Sequence, residues 1–128
     1  MLLALNFMHG KNIMHRDIKP ANVLCEDSTD LAEDEIYIKL TDFGFARKYD
    51  PNEREYALIG TPYFMAPELV KMEAYDMKVD CWAVGVMAYI LLTGYRPFEA
   101  KSVEDLRARI VNQDPNYARL RNTTDQAR

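Results

Sequence analysis

His15-Arg16-Asp17-Ile18-Lys19-Pro20-Ala21-Asn22 is the stretch on which the reading of this chain turns. Pro20 lacks a backbone N–H and its ring clashes with the preceding turn, so no regular helix runs through it. The short apolar pieces Ile13-Met14 and Val23-Leu24 flank it. The spacing therefore predicts a structured loop between two short strands, with an imidazole, a guanidinium, a carboxylate, an ammonium and an amide gathered within a few residues.

Upstream, Met1 to Met8 is apolar apart from Asn6 and stops at His9-Gly10-Lys11-Asn12, which reads as the tail of a helix with a glycine-containing exit. Downstream, residues 26–35 are mostly acidic and lead into the alternating Ile36-Tyr37-Ile38-Lys39-Leu40, a loop feeding a strand. A calcium loop would need a glycine at its sharp turn, regular ligand spacing and a closing Glu; none aligns, and a solvated loop is expected.

Asp42 to Thr61 carries Pro51 and shows no sustained period, so it reads as a long loop of the functional kind. Pro62 and Pro67 punctuate a turn before a short helix near Glu68 to Met72. Lys78 to Thr93 is apolar on nearly every face and ends at Gly94, the pattern of a buried central helix with a glycine stop. Ser102 is placed to cap a following helix over about 102–111, with Glu104 and Asp105 in its first turn and Val103, Leu106, Ile110 and Val111 at the helical period. The tail from Asn112 onward is polar and expected to be loose at its end.

A chain of 128 residues fits one domain, and neither a repeat nor a linker divides it. Apolar residues make up 48% and charged residues 28%, a composition that argues against bulk disorder. The formal net charge of -4 and scattered Lys and Arg argue against a nucleic-acid surface. Cys25 and Cys81 stand far apart with no second cysteine near either, so neither a zinc site nor a disulfide framework is suggested, and a reducing cytoplasmic setting fits. The longest apolar run, Cys81 to Leu92, is shorter than the roughly 20 residues a membrane span needs.

The segment from His15 to Asn22 matches the catalytic-loop signature of protein kinases; Asp42-Phe43-Gly44 follows at the position where those enzymes hold magnesium, and Ala66-Pro67-Glu68 closes the activation segment. Gly60-Thr61-Pro62 and the Asp80-x-Trp82 pair add two further marks in the family's order. The chain thus resembles a eukaryotic-type, Ser/Thr-specific protein kinase. The run from Trp82 to Phe98 is most similar to the calmodulin-dependent group.

The resemblance implies a mainly α fold with a small β component. It corresponds to the C-terminal lobe of a kinase: catalytic loop 15–22, activation segment 42–68, central helix 78–93 and following helix 102–111. It implies ATP and magnesium as cofactors and a protein bearing a Ser or Thr acceptor as partner. Phosphoryl transfer asks the protein for alignment and charge neutralisation rather than covalent chemistry. Asp17 would accept or orient the substrate hydroxyl proton. Lys19 resembles the lysine that meets the γ-phosphate. Asn22 and Asp42 would supply hard oxygens to magnesium, and Gly44 completes the signature that carries Asp42. Thr61 would touch Asp17 and Lys19. His15 would pack beneath the loop, and Asp80, near Trp82 at the head of the central helix, would hold the loop backbone. In the family Glu68 pairs with an arginine near the last two helices; those helices are not evident here, so Glu68 is expected either to stand unpaired or to draw on Arg119 or Arg121.

Arg16 in such kinases often grips an activation-loop phosphate. Here Ala57 occupies the customary phosphothreonine position, and no Ser or Thr lies between Gly44 and Gly60. Thr phosphorylation is therefore not expected to switch this loop, with Glu53 or Glu55 satisfying Arg16 instead. Tyr49 and Tyr56 are the phosphorylatable side chains in that stretch. Where basophilic relatives often carry a Glu, this chain has Ala21, so a preference for Arg just before the target residue is not expected.

Only 14 residues precede His15, and they include no glycine-rich phosphate loop, no lysine of the Val-Ala-Ile-Lys type and no αC glutamate. The resemblance covers about half of a kinase domain, and the chain by itself is expected to bind ATP poorly without an N-terminal lobe. A noncatalytic interaction module derived from a kinase is the rival reading. Asp17, Lys19, Asn22 and Asp42 argue against it, because mere docking requires none of them.

Overall fold

The computed structural model describes residues 1–26 and 37–121. The acidic stretch through residue 36 and the end of the tail lie outside the described residues, and with them the expectations made for a solvated loop and a loose terminus.

The first helix, α1 (Leu2–Gly10), runs through the glycine and ends at Lys11. Asn12, in the left-handed region at φ 57°, then turns the chain, a conformation that Asn accepts more readily than most residues. The turn releases β1 (Ile13–Met14), and the catalytic-type loop follows, with a single 3-10 turn at Pro20–Asn22 where Pro20 supplies the fixed φ. A ribbon of β2 (Val23–Glu26) and β3 (Tyr37–Leu40) pairs antiparallel with Val23 opposite Leu40.

The stretch 42–61 is not wholly loop. Arg47–Lys48 forms β4, which pairs antiparallel with β1 in the register Ile13 to Lys48 and Met14 to Arg47. A two-residue strand has no readable period, and its partner lies more than thirty positions upstream. A 3-10 turn at Pro62–Phe64 then leads into α2 (Pro67–Val70), with proline at the first position of each as its missing N–H favours.

The pillar of the fold is α3 (Lys78–Thr93), closed by Gly94 in the left-handed conformation at φ 73°. After it come α4 (Val103–Asn112), capped by the Ser102 hydroxyl accepting from Asp105 N at 3.0 Å, and a short α5 (Ala118–Arg121). Three apolar clusters meet along α3. Val79 packs with Met14, Met65, Leu69 and Tyr75; Ala83 and Met87 pack with Leu5 and Ile18; Trp82 bridges toward Phe98, Leu106 and Ile110. Burying a side chain of this size stabilises the fold by about 1.5–3 kcal/mol, so α3 holds α1, the loop and α4 to one another.

One expectation is corrected here. The apolar character of α3 on nearly every face predicts a buried central helix, but only one side is buried: Cys81, Gly85 and Ala88 are exposed, and so are Leu91 and Leu92. The described elements cover the face bearing Val79, Ala83 and Met87 and leave the opposite face open. None of the described helices is long and apolar enough to cross a membrane.

Candidate active site

The loop is fastened from below by a carboxylate. Asp80, 1% exposed in the first turn of α3, accepts the backbone N–H of His15 at 2.9 Å and of Arg16 at 2.8 Å, one on each oxygen. His9 at the end of α1 adds its Nε2 to the same carboxylate at 2.9 Å. His15 is fully buried; its Nε2 donates to the Thr41 carbonyl at 3.0 Å, and its Nδ1 accepts the Asp17 N–H at 3.3 Å. Those two bonds define the neutral tautomer protonated at Nε2. Its ring also meets that of Phe43 at 5.1 Å.

Above this base lies one hydrogen-bonded cluster. The Asp17 carboxylate takes Thr61 Oγ1 at 2.7 Å on Oδ1, and Lys19 Nζ at 2.7 Å with Asn22 Nδ2 at 3.3 Å on Oδ2. Lys19 Nζ also donates to the Thr61 hydroxyl at 3.0 Å, and Asn22 Nδ2 to the Asp17 carbonyl at 2.8 Å. Burial pushes the Asp17 carboxyl up, but the hydrogen bonds from Lys19 and Thr61, the Lys19 charge and Asn22 together outweigh it and hold the group below the usual carboxylate range. The ionised form is the one present at neutral pH.

Asn22 also sets the far edge of the site. Its carbonyl accepts both the N–H and the hydroxyl of Thr41, at 2.9 and 3.1 Å, which continues the β2–β3 register by one residue. Asp42 therefore leaves the ribbon beside Asn22. It is exposed, in the left-handed region at φ 60°, with Oδ1 accepting Gly44 N at 3.3 Å. Because Asn22 commits its side-chain nitrogen Nδ2 to Asp17, and its backbone carbonyl to Thr41, its side-chain oxygen Oδ1 is the end left for a cation. One amide oxygen and one exposed carboxylate form a sparse, hard-oxygen donor set, which suits an ion that keeps waters and shares phosphate oxygens. Among the described residues, no group of three or more His, Cys, Asp or Glu side chains gathers to hold a metal.

Gly60 brings the stretch 42–61 to this loop. Its φ is 110°, and a Cβ there would lie 2.6 Å from the Arg16 carbonyl oxygen, so only glycine permits the approach that delivers Thr61 to Asp17.

Arg16 has φ 68°, and its side chain reaches away from Asp17, with Nε donating to the Phe45 carbonyl at 2.7 Å and one terminal nitrogen to Glu55 Oε2 at 3.1 Å. Of the two glutamates expected to satisfy it, Glu55 does so; Glu53 pairs with Arg47 at 3.3 Å.

Glu68 and Trp82 sit apart from the cluster. Glu68 is half-buried and makes no ion pair among the described residues. Arg119 lies instead over the Tyr95 ring at 4.1 Å and 3.8 Å from Glu99. Its partial exposure to water spares Glu68 the full cost of an unpaired buried carboxylate. Trp82 stacks on Phe98 with ring centroids 6.2 Å apart. Sequence reasoning missed His9, Arg47 and Tyr75 as members of the network. Each is a plain helix-end, strand or loop residue locally, and only the tertiary contact marks it.

The chain matches the protein kinase domain family over residues 1–128. It is 45% identical over 118 residues to calcium-dependent protein kinase 5 of Plasmodium berghei, covering 89% of this chain and 20% of that protein. It is 42% identical over 106 residues to the human serine/threonine-protein kinase ULK1, covering 81% of this chain and 10% of that protein, and 40% identical over 108 residues to the serine/threonine-protein kinase plk-2 of Caenorhabditis elegans, covering 84% and 16%. The chain spans about a fifth or less of the length of these curated relatives. With its ordered signatures and a family match along its whole length, the chain belongs to the eukaryotic-type serine/threonine protein kinase family.

Proposed function

We propose that this chain carries the catalytic-loop and protein-substrate half of a serine/threonine protein kinase, which moves the γ-phosphate of ATP onto a Ser or Thr hydroxyl of a protein. The observation that carries this reading is the cluster in which Asp17 accepts from Lys19, Asn22 and Thr61 at once.

Phosphoryl transfer passes through a loose transition state in most analyses, so the acceptor hydroxyl needs orientation more than full deprotonation. An ionised carboxylate with a lowered pKa is a weak base and a good acceptor, which suits Asp17 to turn the substrate O–H toward the phosphorus and take its proton late. Lys19 stands beside it as a cation held by Asp17 and Thr61. A unit charge about 4 Å from a phosphate charge contributes roughly 4 kcal/mol of gross attraction at an effective dielectric near 20.

Asn22 and Asp42 are the residues that would hold magnesium, whose role when bound is to neutralise charge on the phosphate oxygens. Thr61 ties the activation segment to Asp17 and Lys19, so the peptide-holding segment and the acceptor carboxylate move together. His15, Arg16, Gly44 and Asp80 position the loop, and Glu68 and Trp82 belong to its framework. The sequence contains no glycine-rich phosphate loop, so this chain alone would transfer phosphate slowly.

The test is transfer of labelled phosphate from ATP to Ser- and Thr-containing peptides by the full-length gene product that bears this chain. Wild-type activity that needs magnesium and disappears in Asp17→Asn supports the reading. Equal labelling by wild type and Asp17→Asn, or labelling of Tyr peptides alone, overturns it.

A further inference from the structure

Among the described residues, Glu55 is the most heavily bonded acidic side chain outside the cluster around Asp17. It is 8% exposed. Its Oε2 accepts from Arg47 at 2.6 Å and from Arg16 at 3.1 Å, and its Oε1 accepts the backbone N–H of Tyr56 at 3.1 Å and of Ala57 at 2.9 Å. Both oxygens are thus engaged, by two cations and two amides. The backbone is tied down as well: the Tyr75 N–H donates to the Glu55 carbonyl at 3.1 Å, and the Tyr75 hydroxyl donates to the Ala57 carbonyl at 3.0 Å.

These bonds join parts of the chain that no local rule brings together. Arg16 belongs to the catalytic loop, Arg47 to β4 and Tyr75 to the approach to α3. Arg16 also takes the carbonyl of Phe45, just after Gly44. Its own carbonyl is the surface on which Gly60 rests, and Gly60 precedes the Thr61 that bonds Asp17. Pulling the Arg16 side chain toward Glu55 therefore fixes the backbone immediately before Asp17, at a residue whose positive φ needs such external restraint.

We propose that Glu55 is a positioning residue for phosphoryl transfer: its carboxylate permanently supplies the negative charge that draws Arg16 and Arg47 together, so the catalytic loop and activation segment are set without a phosphate on that segment. Chemistry agrees, because the stretch from Phe45 to Ile59 has no Ser or Thr hydroxyl to receive one. The inference rests on the kinase reading above, since what Glu55 positions is the acceptor carboxylate of Asp17.

Three full-length proteins test it: wild type treated with a dual-specificity phosphatase, Glu55→Gln, and Glu55→Asp. Phosphatase treatment should leave transfer unchanged. Loss of the charge in Glu55→Gln should lower kcat by about 10- to 100-fold, the scale of a misplaced reacting group, with little change in KM for ATP. Glu55→Asp keeps the charge at a shorter reach and should recover part of the loss.

Amide hydrogen exchange gives a readout that needs no activity, and exchange at Tyr56 and Ala57 should accelerate at least tenfold in Glu55→Gln. Wild-type kcat in Glu55→Gln, or loss of activity on phosphatase treatment, overturns the proposal. Should the wild type transfer no phosphate, the kinase reading fails, and unchanged exchange at Tyr56 and Ala57 would separately overturn the clasp. If Glu55→Gln does not fold, Glu55→Asp decides: a kcat as low as that of Asp17→Asn, with native exchange elsewhere, counts against a charge-based role.

Discussion

The Thr61 hydroxyl donates to Oδ1 of Asp17 at 2.7 Å across 44 positions of sequence, and Lys19 closes the triangle by bonding both. A single hydroxyl thus connects the segment that would hold a protein substrate to the carboxylate that would orient its acceptor.

Removing that hydroxyl should uncouple them. Thr61→Ala leaves Asp17 and Lys19 each short of a partner, and hydrogen bonds to charged groups contribute about 1.5–3 kcal/mol. The expected result is a fall in kcat of about tenfold or more, whereas Thr61→Ser, which keeps the donor, should stay within about threefold of wild type. Steady-state kinetics of the full-length protein on one peptide substrate checks both.

Two glycines with positive φ should respond differently to alanine. At Gly60 the added methyl would sit 2.6 Å from the Arg16 carbonyl, and backbone cannot retreat without moving Asp17; at Gly94 the added methyl meets open space. Gly94→Ala should cost only the left-handed backbone, about 1–2 kcal/mol, while Gly60→Ala should cost distinctly more than ~2 kcal/mol and depress transfer as well. Comparing urea midpoints of the two variants measures the difference directly.

Local rules delimit α3 and the cap of α4 without help from tertiary structure, because Gly94 in the left-handed region stops one and the Ser102 hydroxyl starts the other. The cluster around Asp17 is legible for another reason: a demanding chemistry leaves its residue types at fixed spacing. What escapes is what depends on pairing at a distance. Strand β4 is too short for a period, His9 and Tyr75 join the network only through folding, and the choice of Glu55 over Glu53 is made where the chain turns back against Tyr75. The open face of α3 escapes for the opposite reason, since an apolar face records a preference for burial and not what covers it.

Asp80 should prove the costliest single site in the loop's foundation. Its two oxygens serve the N–H groups of His15 and Arg16 together with His9 Nε2. Asp80→Asn turns one acceptor into a donor facing a backbone N–H that is buried and cannot move, and leaving such groups unsatisfied costs about 1–3 kcal/mol each. A loss near ~3 kcal/mol in denaturant unfolding is expected. His9→Gln, which can still donate, should lose less than ~1 kcal/mol.

Acid should weaken the fold through Asp17 and Glu55 together. At Glu55, burial pushes the carboxyl up, but the Ala57 amide, the Arg47 and Arg16 charges and the Tyr56 amide outweigh it and hold the group below the usual range; Tyr75 is the other titratable side chain packed against it, its phenol pushed up chiefly by burial. Asp17 is likewise lowered, facing Lys19, Thr61 and Asn22. A carboxyl whose pKa is lower folded than unfolded binds fewer protons in the folded state, so its stabilisation is complete above the unfolded pKa and is lost as pH falls through the folded one. Unfolding midpoints followed from about pH 7 down to about pH 3 should therefore fall on the acid side. Glu55→Gln should be less stable at neutral pH yet show a shallower acid decline, because one of the linked protons is gone. A Glu55→Gln curve parallel to wild type would mean that Arg16 and Arg47 do not hold this carboxylate in solution.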